Sequence, residues 1–458
     1  MPDTPPTPLH PASLARPLVV RRATAALRGS IRVPGDKSIS HRALMFAGLA
    51  VGDTRITGLL EGEDVLRTAA AMRALGAEIV RQADDSWHVT GRGIGRLLEP
   101  DDVLDMGNSG TAARLLTGLL ASHPIVSVMT GDASLRRRPM RRVIDPLGLT
   151  GAVFTSRAGG RLPLCIAGCA EPRAISYRLP VASAQVKSAI LLAGLNAAGE
   201  TVVEEPVPTR DHSENMLRHF GAEVSVEADG SGRVIRLRGR PTLQGRDVLV
   251  PSDPSSAAFP MVAALLVSGS SIVIEAVGLN PLRTGLIATL IEMGADIVVR
   301  NRRVEGGEPV GDLVVNAGPL RGVDVPADRA PSMIDEYPVL AVAAAFATGT
   351  TRLRGLDELR VKESDRLAST VALLAGNGVQ VTVEGDDMIV IGGGPDARIG
   401  GGRVETRMDH RLAMSAVVLG LAASEPVLVD DTGFIETSFP GFVALMNRIG
   451  AGIAEQVA

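Results

Sequence analysis

The phrase MRALGAEIV (72–80) recurs as LRHFGAEVSV (217–226) and LIEMGADIVV (290–299). Each is a helix-like stretch, then a glycine, then a short β-type run. Looser copies are PLGLTGAVF (146–154), LLAGNGVQVTV (373–383) and LMNRIGAGIAE (445–455). The glycines at 76, 151, 221, 294, 378 and 450 stand 75, 70, 73, 84 and 72 residues apart. A glycine at such a junction closes a helix in the left-handed conformation and turns the chain straight into a strand. Six copies at a near-constant period imply a duplicated unit and a packed, repetitive architecture.

Upstream of each phrase lies another helix-like stretch, rich in Ala and Leu. They read SISHRALMFAGLA (38–50), GTAARLLTGLLAS (110–122), SAQVKSAILLAGLN (183–196), SSAAFPMVAALLVSG (255–269), EYPVLAVAAAFATG (336–349) and HRLAMSAVVLGLAAS (410–424). They are apolar almost all round, as buried helices are. Alternating β-type residues follow, such as TRITGLL (54–60) and TVVEEPV (201–207). The unit therefore reads helix, strand, helix, strand and a further strand, and the fold class is α/β.

A chain of 458 residues is too long for one ordinary core, so two or three domains are expected. Aromatics are only 2%, so Ala, Leu, Val and Ile must fill the interior. A net charge of -4 argues against a general nucleic-acid binder, whose footprint is basic. Cys165 and Cys169 match no zinc or dithiol spacing and read as small apolar residues on a strand in a reducing compartment. The proline-rich start lacks the apolar segment of a secretory signal, and residues 1–20 read as a disordered tail. The longest uncharged run, Pro254 to Ile274, is broken by Pro260 and Gly269. It suits a buried helix and a strand better than a membrane span.

The residues that invite a chemical reading sit at helix starts. Before the apolar helices come Asp36-Lys37-Ser38, Asn108-Ser109-Gly110-Thr111, Ser183-Ala184-Gln185, Asp335-Glu336 and Asp409-His410-Arg411. Before the second helices come Arg136-Arg137-Arg138, Thr209-Arg210-Asp211-His212 and the run Arg360 to Arg366. Helix starts present unpaired N–H groups and the positive dipole end, where a cation is unfavourable unless an anion offsets it. Taken singly, Ser, Thr and Asp here are also ordinary N-caps, and the arginine run is also a solvated surface. Repetition of one chemistry at one address favours a ligand carrying several phosphate or carboxylate groups. His41, His212 and His410 lack metal-ligand spacing.

The chain resembles the EPSP synthase family in VPGDKSISHRALMFAGLA (33–50), GNSGTAARLL (107–116), RRRPM (136–140) and SAQVKSAILLAGL (183–195). The likeness continues in TRDHSENML (209–217), DEYPVLAVAAA (335–345), LRVKESDRL (359–367) and DHRLAMS (409–415). SISHR and MIDEYPVLAVAAAFA look closest to one bacterial branch. The resemblance implies two globular domains, each of three βαβαββ units around buried helices, an inside-out barrel. The first domain would hold 21–33 and 253–458, the second 34–252, with the active site in the cleft.

The resemblance also implies roles. Lys37 would touch both substrates. Ser38, Arg42, Ser183, Ala184, Gln185, Arg210, Asp335 and Lys362 would line a shikimate 3-phosphate site. Arg138, Arg366 and Arg411, with Gln185 and the backbone at Gly110, would hold phosphoenolpyruvate, since the planar guanidinium pairs two-point with carboxylate and phosphate. Asp335 is the expected base on the acceptor hydroxyl, Glu363 the expected proton carrier at C3, and Lys37 an assistant. No metal or organic cofactor, no nucleic acid and no membrane is expected, and the protein reads as a cytoplasmic monomer. With the cleft empty, the like-charged halves are expected to repel with nothing bridging them. Many members carry a basic residue just before a T-F-P-like segment; ETSFP (436–440) holds Thr437 there, which leaves that phosphate contact open. The related UDP-N-acetylglucosamine enolpyruvyltransferases usually carry a cysteine on the loop near Arg138, and none lies between Val128 and Arg142. A non-catalytic anion binder of this fold would keep the arginines without needing Asp335 and Glu363.

Overall fold

The computed structural model describes residues 15–395 and 397–454. Twelve helices run along them: α1 (Lys37–Leu49), α2 (Glu63–Ala74), α3 (Gly110–Ala121), α4 (Arg141–Gly148), α5 (Ala184–Gly194) and α6 (His212–His219) in the first half. The second half holds α7 (Pro254–Leu266), α8 (Gly285–Glu292), α9 (Tyr337–Phe346), α10 (Arg366–Ala375), α11 (His410–Ala422) and α12 (Phe442–Arg448). The odd-numbered helices are the apolar stretches. α1 is buried from Ile39 to Leu49, and α9 at every position. The even-numbered helices end at the six repeated glycines, whose φ values are 95°, 107°, 95°, 95°, 81° and 100°. That is the left-handed closure the phrase predicts.

Each unit builds a small sheet. Leu104–Asp105 pairs in parallel with Val126–Thr130 across α3. After α4, the hairpin Val153–Arg157 and Arg161–Ala167 adds two antiparallel strands. Five such four-stranded sheets and one three-stranded sheet occur among the described residues. Three strands come from far along the chain: Val248–Leu249 completes the sheet of Asp53–Thr57, and Arg28–Ile31 that of Ser271–Gly278. Leu18–Val20 pairs antiparallel with Val427–Val429.

That last strand corrects the expected tail. Of residues 1–20, the first fourteen lie outside the described residues, whereas Leu18 and Val20 point into the core. Their alternation with Val19 lets two apolar side chains bury on one face. The uncharged run forms α7 and the strand Ser271–Gly278, as expected. Cys165 lies on Arg161–Ala167, but Cys169 falls just past that strand's end. Both are free.

Buried apolar side chains form two clusters. One spans Ile39 to Val250; the other joins Leu18 through Val33 to Ala257 through Ile453. The result is a two-domain α/β fold with three units around each core. Among the described residues no helix is long and apolar enough to cross a membrane.

Candidate active site

The starts of all six buried helices meet at one cavity of about 580 Å³, lined by Lys37, Gly110, Ser183, Ser255, Asp335 and Arg411 among others. Side-chain caps hold five of these starts in place. Ile39 N–H donates to Asp36 (2.9 Å), Ala112 N–H to Ser109 (3.2 Å), Val186 N–H to Ser183 (3.4 Å), Ser255 N–H to Asp253 (2.8 Å) and Arg411 N–H to Asp409 (3.0 Å). Capping and cavity lining are thus compatible at Ser183, which does both.

One wall comes from the core spanning 39–250. Lys37 Nζ lies 3.0 Å from Asp64. Burial raises the Asp64 carboxyl above its ordinary value, against the pull of Lys37. Arg42 donates to Ser213 Oγ (2.7 Å), Ser188 Oγ (2.7 Å) and the Ser38 carbonyl (2.9 Å). Its partners are all neutral, and burial pulls the guanidinium down to about 10. A cation so placed is available to an anionic ligand. Arg138 is held by Asn108 Oδ1 at 2.8 Å. Gln185 accepts from Arg114 at 2.6 Å and donates to Thr111 at 3.1 Å.

The opposite wall carries the carboxylates. Asp335 accepts from Arg210 (2.7 Å) and Arg366 (3.0 Å). Burial pushes its carboxyl up, but Arg411, Lys362, Arg210 and Arg366 outweigh burial and hold it well below the usual range. Glu363 pairs with Arg366 and lies 3.9 Å from Arg138. Burial acts upward there too, and Arg366, Arg138, His410 and Lys37 hold it well below its ordinary value. Both carboxylates are therefore ionised at neutral pH. Burial lowers Lys362, which makes no ion pair of its own among the described residues.

Residues 21–446 match the family described as EPSP synthase (3-phosphoshikimate 1-carboxyvinyltransferase). A protein of that name from Granulibacter bethesdensis is 69% identical over 447 residues, covering 96% of this chain and 98% of its own. Another, from Acidiphilium cryptum, is 70% identical over 444 residues, covering 97% and 99%. The chain belongs to the EPSP synthase family. A solved EPSP synthase from Acinetobacter baumannii superposes with a TM-score of 0.85 at 46% identity, covering 96% of this chain and 99% of that one. The enolpyruvyl transferase NikO from Streptomyces tendae, 20% identical with a TM-score of 0.77 over 97% and 100% of the two chains, shares the fold.

Of the residues to which the resemblance to EPSP synthases assigned binding or catalytic roles, all but Arg366 line the cavity. Arg366 is wholly buried behind the wall, bonded to Asp409 (2.8 Å) as well as Asp335 and Glu363. Three carboxylates around one guanidinium draw it inward, and it orders the wall instead of forming its surface. Thr437 does not line the cavity; its hydroxyl donates to Phe434 O at 2.7 Å. His41 bonds Thr68 Oγ1 at 2.7 Å, and His212 bonds Glu308 at 2.8 Å. His410 is buried beside Glu363, and burial, Lys37 and Arg411 keep it neutral.

The expectation that nothing bridges the empty cleft is overturned. Arg210–Asp335 (2.7 Å), Arg142–Glu358 (3.1 Å) and Arg138–Glu363 (3.9 Å) all cross between the cores. Carboxylates of one half thus pair with arginines of the other, and the empty cleft is bridged. Sequence reasoning also passed over Asp64, Arg114 and Arg283, which line the same cavity. Asp64 and Arg283 sit at second-helix starts, the address that Arg138, Arg210 and Arg366 share. An Asp in a first helical turn is an ordinary dipole partner, so nothing set Asp64 apart.

Proposed function

We propose that this member of the EPSP synthase family transfers the enolpyruvyl group of phosphoenolpyruvate to the 5-hydroxyl of shikimate 3-phosphate, releasing phosphate. The observation that carries the reading is one cavity where a buried Arg42 and a half-buried Lys362, neither in a carboxylate ion pair among the described residues, face two carboxylates held ionised. Two polyanionic substrates supply the missing negative charge.

Shikimate 3-phosphate lies against Ser38, Arg42, Ser183, Ala184, Gln185, Arg210 and Lys362. Phosphoenolpyruvate lies between Arg138 and Arg411, beside Gln185 and over the backbone of Gly110, with Lys37 reaching both substrates. Asp335 accepts the 5-hydroxyl proton as oxygen attacks C2, and Glu363 delivers the proton that makes C3 a methyl group. The tetrahedral adduct then returns a C3 proton to Glu363 as the C2–O bond to phosphate breaks. A carboxyl held so far below its usual range is a weak base in the free protein. Bound anions neutralise Arg210, Lys362 and Arg411, which lifts Asp335 towards useful basicity. The arginines stabilise the charge that develops on the leaving phosphate.

The division into 21–33 plus 253–458 and 34–252, and a cytoplasmic monomer acting without metal or organic cofactor, belong to the same reading. Phosphate release tests it, with phosphoenolpyruvate and either shikimate 3-phosphate or UDP-N-acetylglucosamine as acceptor. Release with the first acceptor alone is expected. Release with the second, or with neither, refutes the reading.

A further inference from the structure

Arg283 precedes α8 and is buried where the chain passes between the two cores. Its guanidinium donates to Asp36 Oδ2 (2.9 Å), Asp253 Oδ1 (3.0 Å) and Ser255 Oγ (2.9 Å). Asp36 caps α1 and Asp253 caps α7. These aspartates also mark the two crossings, which pair with one another. Asp36 N–H donates to Pro251 O (2.8 Å) and Asp253 N–H to Pro34 O (2.9 Å). Lys37 N–H points at Asp253 Oδ2 from 3.5 Å. The start of α1, which presents Lys37 and Ser38 to the cavity, is therefore fixed through the two aspartates to the far core.

Two buried carboxylates this close repel unless a cation lies between them. Arg283 supplies that charge and a two-pronged geometry that a lysine ammonium cannot reproduce. Its field also helps hold Asp36 down at about 2 against the upward push of burial.

We propose that Arg283 is a positioning residue for the transfer reaction: its fork locks the caps of α1 and α7 together across the crossings and thereby places Lys37 at the reacting atoms. The inference rests on the function proposed above. Of the residues read as holding shikimate 3-phosphate, those on α5 and the serines that hold Arg42 lie within the other core and do not depend on Arg283, whereas Lys37 and Ser38 at the start of α1 do.

The test uses full-length Arg283→Gln and Arg283→Lys, with kcat, both KM values, shikimate 3-phosphate affinity by calorimetry and the thermal midpoint. Both variants should still bind shikimate 3-phosphate, weakened only a few-fold through Lys37 and Ser38, so that the loss falls mainly on kcat. Both should lose about 100-fold in kcat, the scale of a 1 Å misplacement. Arg283→Lys should regain most of the thermal stability that Arg283→Gln loses, without regaining turnover. Parent-like kcat in Arg283→Gln overturns the proposal. So does turnover that returns together with stability in Arg283→Lys, because charge alone would then suffice. A parent that releases no phosphate sinks the functional reading, and this inference with it. A parent that turns over beside normal variants sinks only the inference.

Discussion

Gly110 opens α3 without a left-handed backbone, so alanine can adopt its conformation freely. What a methyl group would meet is the wall proposed to hold phosphoenolpyruvate. A Cβ there would lie 3.0 Å from Arg138 Nη1 and 3.1 Å from Arg114 Nη1. Ordinary non-bonded separations are about 3.5 Å or more, so both guanidinium ends must retreat by roughly half an ångström. Arg138 is not free to swing, because Asn108 (2.8 Å) and Ser134 (3.3 Å) hold it. Forcing such a side chain off its rotamer costs about 0.5–1.5 kcal/mol. If that strain falls on binding, KM for phosphoenolpyruvate rises about two- to tenfold in Gly110→Ala. By the resemblance, glyphosate would be a longer occupant of the proposed phosphoenolpyruvate site and would need the room that the methyl fills. The parent should be inhibited in competition with phosphoenolpyruvate. The inhibition constant of Gly110→Ala should rise by far more than its KM, because a packed turn yields little. Steady-state phosphate release gives both constants for both forms. Equal inhibition of the two forms, or parallel rises in both constants, refutes the steric reasoning.

Glu363→Gln and Asp335→Asn should each lower kcat by about 100-fold or more, the range of lost acid–base catalysis. Shikimate 3-phosphate affinity should persist in Glu363→Gln, and near-parent turnover in either variant removes that residue from the mechanism. Of the ion pairs across the cleft, Arg142–Glu358 is the most exposed, so salt should screen it and loosen the bridging. Small-angle scattering should show the free protein expanding in high salt and contracting again with shikimate 3-phosphate, and an unchanged radius of gyration under both would contradict bridging. Asp36 titrates at about 2, below its ordinary 3.8, because Arg283, His212, the Ile39 N–H and Arg210 outweigh burial. A depressed carboxyl stabilises the fold above the unfolded pKa, so this contribution is full above about pH 4 and fades towards pH 2. Asp36→Asn should melt earlier at neutral pH and lose less stability over that acid window, and an unchanged melting profile would sink the assignment.

The architecture was legible because each unit carries its own local code. The apolar helix, the closing glycine and the β-branched run are all contiguous in sequence, and so are the caps. The strand partners Leu18–Val20, Arg28–Ile31 and Val248–Leu249 were not legible, because each joins a sheet whose other strands lie far along the chain. The candidate site was readable as an address, the helix starts, since dipole and cation conflict there in several copies. Its internal balance was not. Whether Arg366 faces the cavity or lies behind it depends on Asp409 and Asp335, which only the folded chain brings within 3.0 Å. The bridges between the cores escaped for the same reason: charge sign is visible in sequence, but pairing across a cleft is not.

Central to the account is an addition followed by an elimination, with a proton placed on C3 and then removed. Running the reaction in deuterium oxide and weighing the product by mass spectrometry tests this directly. The account predicts one phosphate released per product and deuterium in its vinyl methylene, carried there by Glu363. Product formed without deuterium, or phosphate released without the enolpyruvyl ether, would contradict it.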